Sequence, residues 1–174
     1  MEPILLYTDG ASKGNPGPGG FGVILRCGIH YKEISEGFAV TTNNRMELLA
    51  VITGLEAVKR TNAEIEVYSD SRYVVDAVSK GWVFAWEKKG FEKKANPDLW
   101  KRFLAVYRRH RVTFHWVKGH AGHPENVRCD ELAVEAAGRA MGNPLQAKKD
   151  RWAEDNGNLG IFAERNSVND GIDK

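Results

Sequence analysis

A chain of 174 residues with 42% apolar content is large enough for one domain with a buried core. Its net charge of +2, from 25 basic and 23 acidic side chains, is too small to argue for nucleic acid by itself, so local clustering has to carry any such case. Two cysteines, Cys27 and Cys129, exclude a disulfide framework and leave reduced thiols as the expected state.

The start, Met1 to Asp9, has no basic stretch and no long apolar stretch. No run approaches the roughly 20 apolar residues of a membrane span, so a cytoplasmic protein is expected. Ile4-Leu5-Leu6-Tyr7 is a short apolar run that breaks at Asp9-Gly10, which reads as a buried strand ending in a turn. Lys13 to Gly20 is dense in turn formers. Residues 21–27 and 31–40 have strand character on either side of Cys27-Gly28, so the first three strands should run antiparallel. From Asn43 to Lys59 the pattern becomes a helix that is apolar on most of its circumference, predicting a buried one. Glu64 to Tyr68 is strand-like, and Asp70 begins a helix containing Val74, Val75 and Val78. Pro97-Asp98 opens a helix running to Arg109, Val112 to Val117 is a strand, and Pro124 to Met141 is a helix stopped by Gly142-Asn143-Pro144. This order predicts an α/β fold over residues 1–145, a five-stranded mixed sheet with three antiparallel strands first and helices flanking it. Residues 146–174 mix charges with Asn and Gly and offer few apolar anchors, which predicts a flexible polar tail.

Four carboxylates stand at or near the ends of these elements. Singly, three have plain explanations: Asp9 as a turn residue before Gly10, Glu47 at capping-box spacing from Asn44, and Asp70 as a helix N-cap. Asp130 heads a helical stripe with Ala133, Val134, Ala137 and Met141, which points it towards the core, with Asn126 one turn earlier on the same side. A carboxylate there needs a hydrogen-bond partner or a cation. Taken together, Asp9 and Asp70 both end strands, where open α/β sheets place ligands. Close carboxylates repel, and hard divalent cations relieve that repulsion. Two such ions ~3.5–4 Å apart can clamp the attacking and leaving oxygens of a phosphodiester.

Four longer strings carry a family resemblance: Thr8-Asp9-Gly10-Ala11-Ser12-Lys13-Gly14-Asn15 continuing to Gly20; Thr42-Asn43-Asn44-Arg45-Met46-Glu47-Leu48; Asp70-Ser71-Arg72-Tyr73-Val74; and Trp116-Val117-Lys118-Gly119-His120-Ala121-Gly122-His123-Pro124-Glu125-Asn126, continuing through Cys129-Asp130 to Ala133. In this order they make residues 3–145 resemble type 1 ribonuclease H of the bacterial kind. The resemblance implies a ribonuclease H-like fold and an endonuclease that hydrolyses the RNA strand of RNA–DNA hybrids, leaving 5′-phosphate and 3′-hydroxyl ends. It implies two magnesium ions on Asp9, Glu47, Asp70 and Asp130, with manganese able to substitute. Asp9 would bridge the ions, Asp130 would face the nucleophilic water, and Glu47 and Asp70 would face the leaving group. A non-catalytic hybrid-binding module and another nuclease of the same fold are the alternatives.

His120, in a Gly-flanked loop, suits a mobile proton shuttle or product-release aid. With His115, His123 and Cys129 it also raises a zinc site, but the spacing fits no standard zinc pattern and the carboxylates favour a harder ion. Ser12, Asn15, Asn43, Asn44 and Asn126 match positions that contact nucleic acid in relatives, where short polar side chains can read the 2′-hydroxyl; Thr42 would help seat a DNA phosphate. Arg72 is a further expected substrate-binding residue, although many members of the family carry Gln there and the particular contact is not fixed by the resemblance. Trp82, Phe84, Trp86 and Phe91 interleave with Lys80, Lys88, Lys89, Lys93 and Lys94, a pattern that grips a DNA strand by stacking and phosphate neutralisation, or else packs its aromatics inward beneath solvated lysines. The segment is shorter than the family's best-known basic protrusion, and Glu87 and Glu92 dilute its charge. A monomer is expected.

Overall fold

The computed structural model describes residues 2–119 and 123–156. Ile4 to Asp9 form a near-continuous buried run, as a central strand covered on both faces requires, and β1 (Ile4–Ser12) sits in the middle of the sheet. It pairs antiparallel with β2 (Gly17–Cys27), which pairs antiparallel with β3 (His30–Thr41). On its other side β1 pairs parallel with β4 (Glu64–Ser69), which pairs parallel with β5 (Arg111–Trp116). The sheet is therefore the expected five-stranded mixed one, in the order β3-β2-β1-β4-β5.

β1 does not stop at Asp9-Gly10. Its pairing with β2 continues to Ser12 opposite Gly19, so Asp9 is a mid-strand residue opposite Gly22, and the turn expected there is displaced to residues 13–16. Long-range pairing overrides the local turn preference of Asp-Gly.

One face of the sheet carries the larger core. There α1 (Asn43–Ala57) is buried almost all round, as its apolar circumference predicts, with Leu6, Phe21, Val23, Ile65 and Val67 beneath it. α2 (Arg72–Ser79), α3 (Trp82–Lys88) and α4 (Pro97–Tyr107) extend that core. Trp82, Trp86 and Phe91 all lie within it, and Lys80 and Lys94 cover the rings of Trp82 and Trp86 at 5.1 and 5.2 Å. The expectation that Trp82 stacks on a DNA strand is corrected: only 8% of it is exposed, because its ring fills the corner where α3 meets the core. Lys88 and Lys89 do stand in solvent.

The opposite face is covered by α5 (Pro124–Gly142), and here the expected stripe is rotated. Val134 and Met141 are 46% and 56% exposed, whereas Cys129, Leu132, Ala133, Ala136, Ala137 and Ala140 are buried. The reason lies in the strands below. A methyl group at Gly20 would come within 2.7 Å of Ala136 Cβ, one at Gly22 would collide with the Cys129 carbonyl, and one at Gly37 with the Ala136 carbonyl. The backbone of α5 rests on this track of glycines, and only its small-residue side fits so close an approach.

The flexible tail expected from residue 146 is corrected only as far as residue 156. Lys148 N–H donates to the Gly37 carbonyl and Ala39 N–H to the Lys148 carbonyl, both at 3.0 Å, and α6 (Arg151–Asp155) follows. The anchor is polar rather than apolar. Arg45, 2% exposed, donates to Asp150 at 2.7 and 2.8 Å and to Asp98 at 2.9 and 2.8 Å, with the Trp152 ring 5.0 Å from its guanidinium carbon. Residues 157–174 lie outside the described residues. Cys27 and Cys129 are not bonded to each other.

Candidate active site

The parallel register of β1 and β4 ends at Tyr7 opposite Tyr68, so Asp9 and Asp70 each lie two residues further on, side by side where β4 has finished and β1 runs past it. Glu47 reaches the same place from α1. It is no helix cap: Thr42 caps α1 by accepting Arg45 N–H at 3.2 Å, and Glu47 lies in the second turn, 5% exposed. Gly10 permits this, because a methyl group there would lie 2.5 Å from Glu47 N, and the vacant side lets Gly10 N–H donate to Glu47 Oε1 at 3.0 Å. Asp70 is not a cap either, since Ser71 caps α2 by accepting Val74 N–H at 3.3 Å. Asp130, half-buried on α5, lines a narrow cleft with Asp9, Asp70, Thr8, Asn126 and Gly119.

One carboxylate oxygen from each of Asp9, Glu47 and Asp70 lies within 4.8 Å of the others. The electrostatic cost is plain. Burial first, then the charge of Asp70, push the Asp9 carboxyl up to about 8; a hydrogen bond with Glu47 opposes the rise, and Asp130 adds a lesser one. Glu47 is held well above the usual carboxylate range, by burial first and then by Asp9 and Asp70. Glu47 Oε2 is buried with no hydrogen-bond partner among the described residues, as are Thr8 Oγ1 and Asn126 Oδ1. Buried acceptors left unpaired are rare and costly. An oxygen-only donor set, mutually repelling and short of donors, fits a hard divalent cation.

Among the described residues, the members of the alternative zinc set are engaged elsewhere. His115 Nε2 is taken up by Glu66 at 2.9 Å, His123 packs its ring against Tyr7 and Tyr68, and burial pushes the Cys129 thiol upward, away from the thiolate a metal needs. His120 lies outside the described residues.

Of the remaining expected residues, Asn126 lines the cleft itself. Ser12 ends β1, and Asn15 Oδ1 accepts Asn43 N–H at 2.9 Å, fixing the 13–16 loop against the start of α1. Asn43 is exposed, whereas Thr42 and Asn44 are buried. Asn126 Nδ2 donates to the Tyr68 carbonyl at 3.3 Å, which ties α5 to the end of β4. Arg72 lies against the ring of Trp116, a partner that no sequence signal had marked. The close approach at Gly10 was equally hidden, because it is a property of how β1 and α1 pack.

A family model described as RNase H matches residues 1–138. The ribonuclease H of Syntrophus aciditrophicus (strain SB) is 55% identical over 145 residues, which cover 80% of this chain and 83% of that one. The ribonuclease H of Desulforamulus reducens is 55% identical over 142 residues, covering 79% and 89%. Among solved structures, LC9-RNase H1, a type 1 RNase H with the type 2 active-site motif, is 35% identical at a TM-score of 0.71, covering 80% of this chain and 74% of that one. LC11-RNase H1 in complex with an RNA/DNA hybrid is 29% identical at a TM-score of 0.61, covering 79% and 99%. With the matched span holding all four carboxylates and the sheet order that brings Asp9 to Asp70, this chain belongs to the type 1 ribonuclease H family.

Proposed function

We propose that this chain hydrolyses the RNA strand of RNA–DNA hybrids, leaving 5′-phosphate and 3′-hydroxyl ends, with two magnesium ions held by Asp9, Glu47, Asp70 and Asp130 and manganese able to substitute. The observation that carries the reading is the buried carboxylate cluster at the end of β4, with an unpartnered Glu47 oxygen in it. When bound, the ions supply Lewis-acid stabilisation of charge on the phosphate and a more acidic water. Asp9 from mid-strand, Glu47 from α1, Asp70 from the end of β4 and Asp130 from α5 would hold the ions, and the family resemblance would set Glu47 and Asp70 towards the leaving group and Asp130 towards the incoming water. Asn126, which lines the cleft, and Ser12, Asn15, Asn43 and Asn44, at the end of β1, in the loop after it and at the start of α1, would read the hybrid's 2′-hydroxyl side, while Thr42 caps α1 beside Asn43 and Asn44. We place it in the cytoplasm as a monomer; no helix among the described residues is long and apolar enough to cross a membrane.

The deciding experiment offers matched RNA–DNA, RNA–RNA and DNA–DNA duplexes with magnesium and with chelator. Cleavage confined to the RNA of the hybrid, and lost with chelator, is expected; cutting of DNA–DNA would assign another nuclease activity, and binding without cutting a silent module.

Lys88 and Lys89 are exposed at the end of α3, followed by Lys93 and Lys94. Replacing all four by Ala is expected to raise KM with little change in kcat, and to lower the salt slope of hybrid binding by about 0.9 for each phosphate left unneutralised. Titrations over a range of salt concentrations check this, and an unchanged slope identifies the lysines as a solvated face.

His120→Ala is expected to lower turnover on the order of 10²-fold, the usual worth of one positioned acid–base group, while sparing magnesium affinity and hybrid binding. Calorimetry beside single-turnover rates separates the outcomes. Lost magnesium binding makes His120 a ligand, and unchanged rates make it a structural loop residue.

A further inference from the structure

Asp150 lies beyond residues 1–138, the span that the family model matches, yet its carboxylate is buried at the point where β3 gives way to α1. Its two oxygens take three donors. Oδ2 accepts Thr41 Oγ1 and Arg45 Nε, each at 2.7 Å, and Oδ1 accepts a terminal guanidinium nitrogen of Arg45 at 2.8 Å. Thr41 is the last residue of β3 and Arg45 the third of α1. One side chain thus grips the residue on each side of Thr42-Asn43-Asn44, the three that turn the strand into the helix.

The same turn is fixed elsewhere too. Thr42 Oγ1 accepts Arg45 N–H at 3.2 Å, and Asn15 Oδ1 accepts Asn43 N–H at 2.9 Å. The other edge of the Arg45 guanidinium reaches Asn96 at 3.2 Å and Asp98 at 2.9 Å. Asp150 is itself held in register by the backbone bonds that join Lys148 to Gly37 and Ala39. Stability alone is a thin account of such a seat. An apolar plug of the same volume would fasten the segment as firmly, because desolvating a buried ion pair offsets its attraction. Directional bonds add a single arrangement, which apolar contact leaves loose. The residues so arranged are Asn43 and Asn44, and recognition by hydrogen bond requires placement to within about 0.5 Å.

We propose that Asp150 is a positioning residue for recognition of the RNA strand. By holding Thr41 and Arg45 together it sets the direction of Asn43 and Asn44, so that reading of the 2′-hydroxyl depends on the docked segment after α5. The inference rests on hybrid cleavage as the reaction and on Asn43 and Asn44 as readers of the ribose.

The test measures binding, under chelator, of hybrids whose RNA strand carries one 2′-deoxynucleotide at a successive position. Wild type should lose affinity at one or two positions beside the cleavage point. Asp150→Asn should be indifferent there while keeping the rest of the profile and the salt slope. Its KM for cleavage should rise roughly threefold to tenfold, the worth of one neutral hydrogen bond, with kcat and magnesium affinity nearly unchanged. Thr41→Val removes one of the three donors and should reproduce part of this. Two controls separate positioning from stability at a temperature where every variant is folded. Asp98→Asn also strips Arg45 of a partner but leaves the grip of Asp150 on Thr41 and Arg45, and Leu104→Ala removes buried volume further along α4. Both should keep the wild-type profile, however much stability they lose. The proposal is overturned if Asp150→Asn keeps the wild-type profile and KM, if it loses affinity evenly at every position, if the controls lose the profile as it does, or if wild type has no sensitive position. A wild type that shows the sensitive positions without cutting hybrids overturns the proposed activity instead, and the profiles still decide the role of Asp150.

Discussion

Replacing Asp9 by asparagine is expected to remove hydrolysis while making the metal-free fold more stable. The loss follows from charge: a neutral amide is a poor ligand for a hard cation, and the cation's stabilisation of the transition state is worth several kcal/mol. At about 1.4 kcal/mol per tenfold, turnover should fall on the order of 10³-fold or more. The gain in stability follows from the carboxyl being pushed up to about 8 from an ordinary 3.8. Between those values the folded state holds a proton that the unfolded chain releases, so the contribution is full below about pH 4 and is lost as the pH rises through about 8. The metal-free wild type should therefore weaken between about pH 5 and about pH 9, and Asp9→Asn should weaken less, ending on the order of 2 kcal/mol ahead at the alkaline end. Magnesium should reverse the order, since a ligand at a hundred times its Kd adds about 2.7 kcal/mol to the protein that binds it. Urea titrations at both pH values, with chelator and then with magnesium, check each arm. A variant less stable than wild type at about pH 9 under chelator would show that the carboxylates do not repel as described.

Arg45→Ala should cost the fold roughly 3–5 kcal/mol, the usual penalty for removing one partner of a buried ion pair. For a chain of this size that is about 10 °C in Tm. The two acids it leaves behind differ. Asp98 is 38% exposed at its side chain and can be rehydrated, whereas Asp150 is 9% exposed and keeps only Thr41 Oγ1, at 2.7 Å, as a donor. Asp150→Ala should consequently cost more than Asp98→Ala. Removing the chain after residue 147 should approach the Arg45→Ala loss, because it takes away Asp150 and Trp152 together. Denaturant melts of the four proteins suffice, and a loss below about 1 kcal/mol for the truncation would mean that residues 148–156 are not docked in solution.

That docking shows where sequence reading reached its limit. Periodicity and turn chemistry are local, and they located all five strands and the longer helices. The four carboxylates were legible as candidates because they stand within long motif strings. Three features were not, each for a tertiary reason. Asp9-Gly10 has the local chemistry of a turn, yet β2 offers pairing partners as far as Gly19, so β1 continues. Val134 and Met141 are more apolar than the alanines of α5, yet closeness to the strands rather than hydrophobicity chooses the inward side. The segment around Asp150 has no apolar periodicity, and its polar anchor is a buried arginine 105 residues upstream, which no local window can reveal.

The glycines beneath α5 limit how this enzyme can be improved. Strand stabilisation by conventional engineering replaces glycine with β-branched residues, which gain in strand propensity and lose less freedom on folding. At Gly20, Gly22 and Gly37 that strategy lifts α5, and with it Asp130, away from Asp9, which lies opposite Gly22. Since main chain rests on main chain there, no softer side chain can yield to absorb the added atoms. A library selected only for heat resistance should avoid substitutions at these three positions; one that enforces them should return well-folded proteins whose fourth carboxylate stands too far from the other three.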